Sequence, residues 1–201
     1  MDKATVTTQR RMGVDGAKNR EVLVDAAAHL LVTEGYAAIT ARRVAERAGL
    51  KVQLVYYYFQ SMDELIVAVI RRNSARRIEL LEEVAASAEP LRALWELNSD
   101  PNAAITQAEL LSLANHRESI RNEVALHGKE LRRLQIELVA RLMTERGIDQ
   151  SLYPAGAVVT IIAAIARARA QDCALGVSEG YDEAVEFIER GLNLFIAPTK
   201  A

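Results

Sequence analysis

The 201-residue chain has one cysteine, four prolines and ten glycines, and aromatic residues make up only 5% of it. A lone thiol closes no intrachain disulfide, so a cystine-stapled scaffold is excluded and a reducing compartment, the cytoplasm, is expected. Few helix breakers, set among abundant alanine, leucine, glutamate and arginine, favour helix nearly throughout, and no strand signal competes. There is no uncharged apolar stretch of about 18 residues, and no charged start leading into a leucine-rich run and cleavage site. Neither membrane spanning nor export is expected. Glycine-rich phosphate loops, nucleophile elbows and HExxH are all absent. His29, His116 and His127 lack Cys, Asp or Glu partners at metal-ligand spacing, and His29 falls off the apolar face of its helix. No catalytic residue, metal site or cofactor is therefore expected.

What the chain does have is a punctuated run of helices, an all-α fold whose 50% hydrophobic content can bury a small head and a larger core. Ser61 with Glu64 three residues on is a capping box, opening a helix to about Ala88 that Pro90 stops. A short helix over Leu91–Leu97 follows. Asn98 to Pro101 starts another, with breaks near His116–Ser119 and at Gly147. Pro154 suits the first turn of a helix running to about Leu175, Gly176 suits its end, and Tyr181–Phe195 makes the last helix before Pro198.

The densest signal lies in TARRVAERAGLKVQLVYYYFQSMDEL, from Thr40 to Leu65. Thr40 is a good N-cap for a helix whose Val44, Ala45 and Ala48 share one face. Gly49 permits the left-handed backbone of a tight corner, and Leu50 can plug the angle between the two helices. The second helix, about Val52–Phe59, points Val55 and Phe59 inward, flanked by Val52 and Tyr56. Gln53, Leu54 and Tyr57 remain outside, where a core-facing helix would carry solvated charges. An amide can bond an adenine edge, an aliphatic side chain can touch a thymine methyl, and a phenol can reach phosphate oxygens. A buried helix pair is the alternative, but three consecutive tyrosines cannot all face inward.

Gly35-Tyr36, Thr40, Val44-Ala45, Ala48-Gly49 and Tyr56 to Phe59 followed by Leu65 resemble the DNA-binding head of the TetR (tetracycline-repressor-like) family. The likeness covers about residues 18 to 66, including Leu23, Ala26, Ala27, Leu30 and Leu31 of a preceding helix. It implies a three-helix helix-turn-helix head over 18–66 (motif about 40–59), a flexible arm over 1–17, and a ligand-binding and dimerisation body over 67–201. The resemblance gives Thr40 a phosphate contact, puts Lys51, Gln53, Leu54 and Tyr57 in the major groove, and has Tyr56 hold the backbone; Arg42 and Arg43 complete the DNA-binding set. Lys51 stands where the family usually has a capping serine, and Met62 where it usually has a phosphate-gripping lysine. The backbone grip is accordingly expected to move to Lys51 and the arm.

Charge divides the same way. Residues 9–60 hold eight basic and five acidic side chains, a net +3, while residues 61–201 carry −5 of the chain's total of −2. The nucleic-acid surface must then lie at the N-terminal end. Arg10 and Arg11 are either part of an arm following DNA or a solvated tail. Further on, Val158, Val159, Ile161, Ile162 and Ile165 leave the 155–175 helix little polar face, and the 181–196 helix adds Ala184, Val185, Phe187, Ile188, Leu192 and Phe195. Together they read as a homodimer interface, a four-helix bundle with a symmetry mate. The middle helices, about residues 91 to 146, should hold a small-molecule effector, as the resemblance implies. Trp95 and Met143 are the apolar candidates, and Asn115 with His116 the polar ones.

The function expected is a ligand-released repressor on double-stranded operator DNA. An activator or a regulator controlled by a protein partner is the nearer alternative, and a helical carrier or enzyme with a vestigial head the more distant one.

Overall fold

The computed structural model describes the backbone of residues 3–196 and the side chains of residues 16–191. In order it contains α1 (Lys3–Glu34), a 3-10 turn (Tyr36–Ala38), α2 (Ala41–Ala48), α3 (Val52–Tyr58), α4 (Met62–Ala86) and α5 (Pro90–Asn98). Then follow α6 (Pro101–Ala114), α7 (Glu118–Glu145), α8 (Ala155–Ala174) and α9 (Tyr181–Ile196). No strand occurs among the described residues, and the fold is all-α. The arm expected over 1–17, with Arg10 and Arg11, falls almost wholly on residues whose side chains lie outside the described ones. So do Leu192 and Phe195 of the expected dimer interface.

Helix ends follow the punctuation. Gly147 and Gly176 take φ of 67° and 82° just beyond α7 and α8, where a side chain would strain the backbone. Pro154 is the N-cap of α8 and not part of its first turn; its ψ of 128° keeps it outside the helix. At the start of α4 the Glu64 N–H donates to Ser61 Oγ (3.1 Å), while the Glu64 carboxylate accepts from the Gln60 N–H (2.7 Å). The cap is reciprocal, but the carboxylate takes the amide one residue before the serine.

The chain forms two compact units. The first runs to Arg72 and takes in Glu109–Glu123; the second comprises Asn73–Ala108 and the residues from Val124 onward. In the first, α1 packs on α2 and α2 on α3. Leu23, Ala27, Leu31, Val44, Ala45, Val55, Phe59, Leu65, Ile66 and Val69 are all at most 1% exposed. Each large side chain among them contributes about 1.5–3 kcal/mol by leaving water, enough together to hold short helices that would not persist alone.

The second unit is built round Leu81, Leu91, Leu94, Trp95, Leu138, Val139, Leu142, Met143, Val159, Ile162 and Ala166. Gln135 is buried among them; its amide donates to Asn98 Oδ1 (3.3 Å), and the Asn98 amide donates to the Leu94 carbonyl (2.9 Å). That relay gives the polar groups the partners burial demands. Both α8 and α9 are two-faced. Val159, Ile162, Ala166 and Ile188 are buried within the subunit, whereas Ile161 and Phe187 are 56% and 73% exposed. Cys173, the only thiol, is exposed at the end of α8.

Candidate nucleic-acid interface

Thr40 sits in extended backbone and accepts the Arg43 N–H on its hydroxyl (3.3 Å), the N-cap that starts α2. Gly49 closes the helix with φ 65° and ψ 28°, and the Leu50 N–H returns to the Ala45 carbonyl (2.9 Å). This six-to-one bond over a left-handed residue swings the chain sharply into α3. Lys51 is the N-cap residue of α3 and makes no side-chain cap bond. The first turn of α3 therefore begins with an exposed cation and free N–H groups, which suit a phosphate.

α3 is only seven residues long and ends at Tyr58; Phe59 turns to extended geometry, and its N–H donates to the Val55 carbonyl. Val55 and Phe59 are buried as expected from their spacing. The flanks differ from the expectation. Val52 and Tyr56 are exposed, at 36% and 65%, and it is Leu54 and Tyr58 that are half-buried. The reason is that Phe59 has left the helix, so its inward direction does not mark the helical face, and the buried arc turns toward Leu54 and Tyr58. Tyr57 is 77% exposed, and its ring meets Tyr58 edge-on at 4.9 Å between centroids. Lys51, Gln53, Tyr56 and Tyr57 thus form one outward group, with Leu54 at its edge.

Arg42 and Arg43 are both exposed, but Arg43 is occupied: its guanidinium pairs with Glu34 at 2.6 Å. Arg42, Arg47 and Lys51 have no ion pair among the described residues. Arg20 lies over the Phe59 ring at 5.0 Å, covering the corner where α3 ends. His29 is exposed, and among the described residues no group of three His, Cys, Asp or Glu could hold a metal ion. No described helix is long and apolar enough to cross a membrane.

The effector candidates fall on different elements. Trp95 and Met143 lie in the apolar core of the second unit, whereas Asn115 and His116 are exposed at the turn between α6 and α7, in the first. Sequence reasoning missed what that turn does. The Glu109 carboxylate accepts the Tyr36 N–H (2.8 Å), Arg117 pairs with Asp63 and lies 5.0 Å over the Tyr36 ring, and Arg71 grips Glu123 in a bidentate pair (2.6 and 3.1 Å). Hydrogen bonding to Glu123, then its charge, raises the Arg71 pKa above its ordinary value. These partners lie tens of residues apart, and no local pattern announces them.

Residues 23–69 match the family model described as bacterial regulatory proteins, tetR family. Over 122 residues the chain is 29% identical to the HTH-type transcriptional regulator BetI of Rhizobium meliloti (strain 1021), a match covering 56% of this chain and 60% of that protein. Over 164 residues it is 25% identical to the HTH-type transcriptional repressor KstR of Mycolicibacterium smegmatis, covering 80% of each. The chain thus spans less than two thirds of BetI in this match. In fold it is similar to a protein from Saccharomonospora viridis solved in complex with choline, with a TM-score of 0.72 at 18% identity over 90% of this chain and 96% of the other.

Proposed function

Because this chain belongs to the tetR family of bacterial regulatory proteins, we propose that it is a homodimeric transcriptional repressor acting in the cytoplasm, released from operator DNA by a small molecule. The observation that carries the reading is the outward group on α3. Lys51, Gln53, Tyr56 and Tyr57 are solvent-facing on a helix pinned by Val55 and Phe59, a chemistry suited to base edges and phosphates. Thr40 and Arg42 add backbone contacts, Leu54 a methyl contact, and Arg43 contributes only when Glu34 releases it. The arm over 1–17, the head over 18–66 and the body over 67–201 form the proposed division of labour.

Two copies are needed because a helix-turn-helix head reads half-sites about one DNA turn apart. The exposed Ile161 and Phe187 on α8 and α9 are the proposed seam. Effector contacts are proposed for Trp95 and Met143, with Asn115 and His116 as the polar candidates. A ligand that prefers one conformation lowers DNA affinity by its differential preference and no more. α4 is the proposed lever, since it is one continuous helix shared by both units.

The test is selection of binding sites from a random duplex library with the full-length protein, followed by gel shift. A two-fold symmetric site bound far more tightly than bulk DNA supports the reading. Weak, sequence-indifferent binding erased by salt would instead favour a carrier with a vestigial head. Deleting the gene and following the neighbouring transcripts separates a repressor from an activator by the direction of change.

A further inference from the structure

We propose that Glu109 and Arg117 are positioning residues of the DNA-reading head, a clamp supplied from the far end of α6 and the turn after it. The inference rests on the regulator reading above. The 3-10 turn Tyr36–Ala38 feeds directly into α2: the Ile39 N–H returns to Tyr36 and the Thr40 N–H to Ala38, so the turn fixes where the Thr40 cap stands. Its first N–H, that of Tyr36, has no partner within the turn and is taken by the Glu109 carboxylate at 2.8 Å, from 73 residues along the chain.

Gly35 shows how close the approach is. It adopts φ 74° and ψ 176°, a region nearly closed to other residues, and a Cβ on it would stand 3.3 Å from a Glu109 carboxylate oxygen. Arg117 completes the clamp. Its guanidinium pairs with Asp63 in the first turn of α4 while lying over the Tyr36 ring, so one side chain ties the entry to α2 to the start of α4. Arg121 donates to the Ala114 and Asn115 carbonyls (2.8 and 3.0 Å), capping the end of α6 and stiffening the corner that carries both residues. Residues 109–123 are continuous in the chain with the parts of α6 and α7 that belong to the second unit.

Glu109→Ala, Glu109→Gln and Arg117→Gln separate positioning from other roles. With the duplex selected by the unaltered protein, Glu109→Ala should weaken binding about tenfold per head, the worth of a charge-assisted hydrogen bond, and so about a hundredfold for the dimer, with the salt slope unchanged because no phosphate contact is lost. Glu109→Gln retains a carbonyl acceptor and should recover most of the affinity; Arg117→Gln should behave like Glu109→Ala. In the DNA-free protein, amide exchange at Tyr36, Val44 and Ala45 should speed up in Glu109→Ala and not in Glu109→Gln, while Val159 and Ile162 stay protected. Unaltered affinity in Glu109→Ala, or a salt slope flattened by about one per head, overturns the proposal. So does exchange that does not change in the α2 entry. If the unaltered protein selects no duplex, the regulator reading falls, and the exchange measurement still decides whether the clamp exists.

Discussion

Lys51→Ala is expected to flatten the salt dependence of DNA binding, and the size of the effect follows from its position. Lys51 is exposed at the N-cap of α3, makes no cap bond and has no ion pair among the described residues, so its ammonium is free for a phosphate. Each phosphate contact contributes about 0.9 to the slope of log affinity against log salt. A dimer losing one contact per head should therefore show a slope about 1.8 shallower. Between 50 and 200 mM salt, the unaltered protein should lose about twelvefold more affinity than the variant. Arg43→Ala is the internal control, because the 2.6 Å pair with Glu34 already occupies that guanidinium; its slope should change by less than half as much. Fluorescence anisotropy with the selected duplex at four or more salt concentrations gives both slopes. Equal slopes for Lys51→Ala and the unaltered protein, or as large a change for Arg43→Ala, would refute the placement of the phosphate grip at the start of α3.

The two left-handed glycines of the head should differ in cost. Gly49→Ala meets no atom within 4 Å and pays only backbone strain, about 1 kcal/mol, whereas Gly35→Ala adds a nearly glycine-only ψ and the Glu109 carboxylate, about 2–3 kcal/mol. Native-state amide exchange in α2 measures both, and equal losses would contradict the assignment. Phe59→Ala should cost about 3–5 kcal/mol and abolish DNA binding while sedimentation still shows a dimer, since Phe59 is 1% exposed in the first unit's core. Ile161→Asp with Phe187→Asp should leave a monomer that is helical by circular dichroism but binds the duplex weakly; a persistent dimer in ultracentrifugation would place the seam elsewhere.

Local chemistry made much of the fold readable. Thr40, Gly49 and Ser61 with Glu64 each act within four residues of themselves, so their caps and corners could be placed from spacing alone. Helix periodicity likewise picked Val55, while the apolar residues of α1 came with the family resemblance. Periodicity erred at Val52 and Tyr56 because the wheel was drawn through Phe59, which has already left the helix. The Arg43–Glu34 pair and the Glu109 and Arg117 contacts were not legible, because charged side chains look solvated until the chain returns to them. Asn115, His116 and Arg117 were legible as a polar cluster, but not the contacts that Glu109, Arg117 and Arg121 make around it.

The solitary thiol also has a practical consequence. Cys173 is solvent-accessible near the C-terminal end of α8, and the chain's single indole, Trp95, is buried in the core of the same unit. A maleimide dye therefore attaches at one defined position per protomer without any mutation, and the indole serves as an intrinsic donor. Dye-to-dye transfer between subunits and indole-to-dye transfer, read from one labelled preparation, would follow assembly and effector entry in the native sequence.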